Sequence, residues 1–222
     1  METGLAAGCA ALVVLAIAGV VVAAVFAARA ERRRKERLAA WASDSFWTYQ
    51  VRPANNWAPL LPGHNKQGVT LALSGVVAGR TVSVAEYHYT TSSTDAEGRS
   101  SSTTHHYVVV AMGLPRPYPP MSVAARGALS KLGRSLFGEG KAATGNAAFD
   151  ERFKISTRYP DKARRVVGPR LMAAHLANQV PAWAVSGDLL VYHFPGRITD
   201  PARVPGWAAT AVAIADLLGS VD

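Results

Sequence analysis

The residues of this chain best suited to chemistry are its six histidines and the acids near them. Glu86 and His88 lie two apart in a run that reads as a strand, Thr81–Thr91, and His105 and His106 open the next one. If these strands pair, Glu86, His88 and one of the adjacent histidines share a face. Successive strand residues point to opposite faces, so His105 and His106 do not both reach one metal without a bulge. Solvated histidines at strand tips account for the same pattern, and no metal site is assigned. His175 on a helix and His193 in a strand read as ordinary, partly buried residues.

Other templates fail on particular residues. The stretch from Gly138 to Gly145 resembles a phosphate loop, but Ser135 stands where the first glycine is required and Ala142 replaces the magnesium-binding hydroxyl. The acids of Phe149-Asp150-Glu151-Arg152 would point to opposite sides at a strand start, which fits a cap or a solvated pair. There is no Gly-x-Ser-x-Gly elbow and no His-Glu-x-x-His motif. Cys9 is the only cysteine, which excludes an intrachain disulfide and a cysteine-based zinc site. No catalytic residue and no cofactor are assigned.

The strongest feature lies at the start. Leu5 to Ala28 is an unbroken apolar run, and at about 1.5 Å per residue it covers roughly 36 Å of helix, against a hydrocarbon core of about 30 Å. A cleaved signal peptide is the rival reading, since Ala28-Arg29-Ala30 fits a small-x-small cleavage site. Against it stand an amino terminus without a basic residue, an apolar run longer than signal peptides use, and charge on the far side of that run. Residues 29–37 hold six basic and two acidic side chains, among them Arg32, Arg33, Arg34, Lys35 and Arg37. Positive charge resists translocation, so the amino terminus is expected outside and the rest in the cytoplasm of a single-pass protein of the cell membrane. Ala6-Ala7-Gly8-Cys9 does not serve as a lipoprotein box, because its apolar segment follows the cysteine.

The net charge is +9, and residues 126–170 carry eleven Lys/Arg against four Asp/Glu. Phe153, Ile155 and Thr157 alternate with Arg152, Lys154, Ser156 and Arg158, which reads as a strand with one apolar and one basic face. A nearby helix adds Lys162, Arg164 and Arg165. Beside a bilayer such a surface attracts anionic lipid headgroups, about 1 kcal/mol per well-placed basic residue. A merely solvated surface has the same composition. With no helix-turn-helix, zinc-finger or ribonucleoprotein signature, nucleic acid is not an expected partner.

The elements that must carry these residues follow from periodicity. Residues 1–30 form the anchor, 31–68 a basic juxtamembrane segment and linker, and 69–222 a soluble α+β domain. Its strands are expected at 69–75, 81–91 and 107–112, with a turn at Ala78-Gly79-Arg80. Residues 90–104 hold no large apolar side chain and read as a mobile hairpin tip. The proline-rich Leu114–Pro120 reads as an extended connector at a sheet edge rather than a polyproline ligand. A helix through Leu129, Leu132 and Leu136 follows, then the 153–158 strand and a helix from Ala163 to Ala174 broken at Gly168-Pro169. A hairpin about Ser186-Gly187-Asp188 and a closing helix from Pro205 to Gly219 complete the chain. Strands followed by helices, with no βαβ alternation, predict a mainly antiparallel sheet and about three packed helices.

The segments Phe149–Ile155, Ala163–Leu171 and Gly187–Leu190 resemble a group of uncharacterised membrane-anchored proteins of actinobacteria that share this layout. The resemblance implies an anchor and no activity. The expected function is a membrane protein whose domain binds anionic lipid headgroups or a membrane-associated protein without catalysis. A secreted or membrane-tethered hydrolase-like enzyme with a histidine/glutamate site is the alternative.

Overall fold

An alanine-rich stretch without proline folds into one uninterrupted helix, α1 (Glu2–Asp44). It stops where Phe46, 97% exposed, takes a left-handed φ of 59°, a conformation no helix continues through. The computed structural model describes residues 2–127 and 141–219, with α1 side chains described from Ile17 onward. The chain divides into two units, Met1–Ser45 and Phe46–Asp222.

The second unit is built on seven strands: β1 (Thr48–Val51), β2 (Val69–Val77), β3 (Arg80–Thr94), β4 (Ser100–Ala125), β5 (Lys141–Ala142), β6 (Phe153–Thr157) and β7 (Trp183–Pro195). All pairings are antiparallel, in the order β1-β2-β3-β4-β6-β5, with β7 also on β4. Around the sheet lie α2 (Ala147–Arg152), α3 (Pro160–Val166), α4 (Pro169–Leu176) and α5 (Val204–Leu217). The α+β class and the mainly antiparallel sheet are as expected from the sequence.

The β2–β3 turn falls within the expected Ala78-Gly79-Arg80, with Arg80 already opening β3. Ala78 and Gly79, both at positive φ, close a two-residue hairpin whose twist matches the strands. Beyond Thr90 and before Thr104 the β3–β4 ladder continues as a two-stranded ribbon, paired as far as Thr94 and Ser100. Its cross-strand contacts are hydroxyl pairs such as Thr90–Thr104 at 3.0 Å and Ser93–Ser101 at 2.9 Å. Backbone pairing and hydroxyl bonds substitute here for apolar burial.

The sheet buries residues on both faces, in alternation along each strand. Ala85, Tyr87, Val109, Ala111 and Val191 pack with Trp57, Leu61, Val69 and Ala72. Val82, Val84, Val108, Val110, Leu190 and Tyr192 occupy the alternate positions, and the buried residues of α5 are Val204, Ala208, Ala211, Val212 and Ile214. Tyr192 Oη donates to the Trp207 carbonyl at 2.7 Å, tying strand to helix.

Three expectations need correction. Residues 46–68 are part of the folded unit rather than a linker, because β1 pairs with β2 and the buried Trp57 and Leu61 belong to the core. Residues 183–194 form no hairpin. Both halves pair with the same 26-residue strand β4, and Gly187, at φ 60°, sits where that ladder shifts register opposite Tyr118. Leu114–Pro120 lies inside β4 itself, its prolines falling in the gap between the Gly113 and Tyr118 and then the Tyr118 and Met121 pairings. The break at Gly168-Pro169 is where the sequence placed it, Pro169 opening α4. The helix expected through Leu129, Leu132 and Leu136 lies outside the described residues.

Candidate functional site

The basic stretch of α1 continues the apolar one without a break. Ile17, Val20, Val21, Val22, Val25 and Phe26 are exposed, between 43% and 69% of their surface. Within the basic stretch, Arg32 Nε donates to Glu36 at 2.9 Å, Arg34 holds Glu31 at 2.8 Å, and Lys35 lies 3.6 Å from the same Glu31 oxygen. Arg29, Arg33 and Arg37 are exposed, four residues apart along one helix face, and make no ion pair with a described residue. A row of unneutralised arginines therefore follows an apolar helix surface. Among the described residues no helix is long and apolar enough to cross a membrane. The part of the apolar run whose side chains are described begins at Ile17 and extends about twelve residues, roughly 18 Å.

The basic residues of the second unit stand in different local settings. Asn146 caps α2, its side chain accepting from the Phe149 amide at 3.1 Å, so Arg152 ends a helix where alternation suggested a strand. The Arg152 guanidinium donates to the Leu176 carbonyl at 3.1 Å and to Asn178 Oδ1 at 3.2 Å, closing the end of α4. Lys154 is half-buried on β6, beside a Ser156 that β5 covers, and Arg158 is exposed just after the strand. On α3, Arg164 pairs with Asp161 at 3.6 Å, Lys162 lies 5.9 Å from the Tyr159 ring centroid, and Arg165 is exposed.

The paired acids have separate fates. Asp150 accepts from the Thr144 amide and hydroxyl, each at 3.0 Å, and from the Gly145 amide at 3.1 Å. Burial raises its pKa, but these bonds and the Arg126 charge outweigh that and hold the carboxyl below its ordinary value. Glu151 is exposed.

The histidines also separate. His88 and His106 face each other across β3 and β4, ring centroids 6.0 Å apart, on the side of the sheet that carries Glu86. His105 stacks on Tyr89 at 4.8 Å on the opposite side. Glu86 is buried and already engaged, since Oε1 accepts from the Ile198 amide at 2.7 Å and Oε2 lies 3.7 Å from Arg197. Among the described residues no group of three or more His, Cys, Asp or Glu is placed to hold a metal ion. His175, buried between Phe149, Phe153 and Trp183, accepts from Trp183 Nε1 at 3.0 Å. Burial pushes its pKa down to about 4, and does the same to His193. Burial and a hydrogen bond with Tyr89 raise Tyr107 to about 12. At neutral pH these rings are uncharged packing groups.

Two clefts of about 600 Å³ open on the second unit, and neither was visible in the sequence. One runs past Trp57, Leu114, Pro115 and Leu189. The other is lined by Arg52, Pro53, Asn65, Lys66, Gln67, Val69, Thr70 and His88, with no carboxylate among them. The asparagine–glycine turn of residues 65–68 was the one readable signal for the second.

No family model matches the chain, and no curated protein matches it by sequence. The fold is an antiparallel α+β sheet that a solved structure shares. The crystal structure of the mycobacterial trehalose monomycolate transport factor A, TtfA, superposes with a TM-score of 0.54 at 14% identity, covering 84% of this chain and 94% of that one. At that identity the likeness is one of fold alone.

Proposed function

We propose that this chain is a single-pass membrane protein of the cytoplasmic face whose folded unit binds a partner without catalysis. The observation that carries the reading is α1. Apolar sequence from Leu5 to Ala28 runs into Ile17–Phe26, whose large side chains are exposed, and then into the Arg29, Arg33 and Arg37 row. Exposed apolar surface at about 25 cal/mol per Å² favours burial in lipid, and arginines at the helix end reach anionic headgroups. Among the described residues the histidines and acids lie apart, with no group of three or more His, Cys, Asp or Glu together, which argues against the hydrolase alternative. TtfA is by its name a transport factor, and a non-catalytic role suits a chain of this fold. Its partner is a membrane-associated protein or the anionic leaflet itself.

Alkaline carbonate extraction of membranes tests the anchor. The full chain is expected in the pellet. Ala18→Arg with Val22→Arg, each costing about 3 kcal/mol near the middle of a span, is expected to release it. Extraction of the unaltered chain into the supernatant contradicts the reading.

A further inference from the structure

The cleft beside β1 has the composition of an anion site. Its lining residues include Arg52, Lys66 and His88, with Gln67 beside them and no acid. Its wall is built rather than incidental. The Asn65 amide donates to Tyr87 Oη at 2.9 Å, and its side chain donates to the His88 carbonyl at 3.1 Å while accepting from the Gln67 amide at 3.1 Å. Gly68 lies so close to β3 that an added Cβ would sit 2.2 Å from the His88 carbonyl oxygen, so only glycine lets the loop lie there. Opposite, the Arg52 amide is bonded to the Thr70 carbonyl at 3.1 Å, with Arg52 held at a φ of 48°, a left-handed conformation that long side chains rarely adopt. Backbone bonds thus fix both cation-bearing segments around one space.

We propose that this cleft binds a phosphate-bearing ligand, Arg52 giving a planar pair of donors, Lys66 a point charge and His88 a third donor. Guanidinium matches phosphate geometry, and charge-assisted bonds of this kind are roughly twice as strong as neutral ones. The phosphate is a free anion or a lipid headgroup, the chemistry at the cleft being the same. The assignment does not depend on the membrane reading of α1.

Calorimetric titration of the full chain in a non-ionic detergent with inorganic phosphate, at constant ionic strength, tests it. Saturable binding is expected. Arg52→Gln and Lys66→Gln are each expected to weaken it about tenfold, the equivalent of one charge-assisted bond, while Arg170→Gln, at an exposed position outside the cleft, leaves it unchanged. Lys66 is exposed and its side chain makes no hydrogen bond or ion pair with a described residue, so its variant reports on binding even if altering Arg52 disturbs the fold. A second arm adds dioctanoylphosphatidylglycerol. Displacement of phosphate by it assigns the headgroup as the source, and lack of displacement assigns the free anion. Absence of saturable binding of either compound overturns the proposal, as does unweakened binding by the Lys66 variant.

Discussion

Replacing Glu86 with alanine is expected to lower the melting temperature of the folded unit by roughly 6–12 °C, about 3 kcal/mol for a domain of this size. Glu86 is 3% exposed, and its Oε1 accepts from the amide of Ile198, which is fully buried. Truncation leaves that amide without its acceptor and Arg197 without its carboxylate, and the unmade bonds cost more than the pair contributes when intact. The segment Gly196–Asp200, which leads from β7 into α5, loses its tie to β3. Glu86→Gln keeps an oxygen for the Ile198 amide, so it is expected to lose less than half as much. Thermal melts followed by circular dichroism decide this. A fall of under 2 °C for the alanine variant would mean that Glu86 is no strut, and the residue would return as a candidate for chemistry.

Acid is expected to destabilise the unit well before its carboxylates titrate fully, and His175 is the main cause. Its folded pKa is held at about 4 by burial, against an unfolded value near 6.5. Between those values the unfolded chain binds the extra proton and the folded one does not, so stability falls as pH drops through that window and is level above it. A shift of this size is worth about 3 kcal/mol at most, or roughly 6–12 °C between pH 7 and pH 4. His193 acts in the same direction from a half-buried position. Asp150, whose pKa is lowered, adds a further loss at lower pH as its bonds to Thr144 and Gly145 are protonated away. His175→Gln retains an acceptor for the Trp183 indole and removes the proton. Its melting temperature is expected to change markedly less between pH 7 and pH 4. A pH profile that superimposes on that of the unaltered chain would assign the acid sensitivity elsewhere.

What was legible in the sequence follows a physical rule. The helix break at Gly168-Pro169, the Ala78-Gly79 turn and the β3–β4 pairing are each set by a few neighbouring residues, and the sequence reading placed all three. Features that depend on distant partners were not legible. Ser186-Gly187-Asp188 has turn chemistry, yet β4 is long enough to pair with both flanks, and the turn becomes a bulge. Arg152 looked like part of a basic strand face until the Asn146 cap and the end of α4 claimed it. Charge can be counted in a sequence, but which charges a helix end or an aromatic ring has already engaged cannot. The cleft of Arg52, Lys66 and His88 joins three segments 14 and 22 residues apart, a juxtaposition that only the β1–β2–β3 pairing creates.

The measurement that reaches the central claim most directly is topology in living cells. A fluorescent protein that matures only in the cytoplasm and an alkaline phosphatase active only outside it are fused in turn after Asp222. Fluorescence is expected, with no phosphatase activity and recovery of both fusions in the membrane fraction, the basic residues 29–37 keeping the folded unit inside. An active phosphatase with a dark fluorescent fusion, or either fusion released free of membrane, would contradict it.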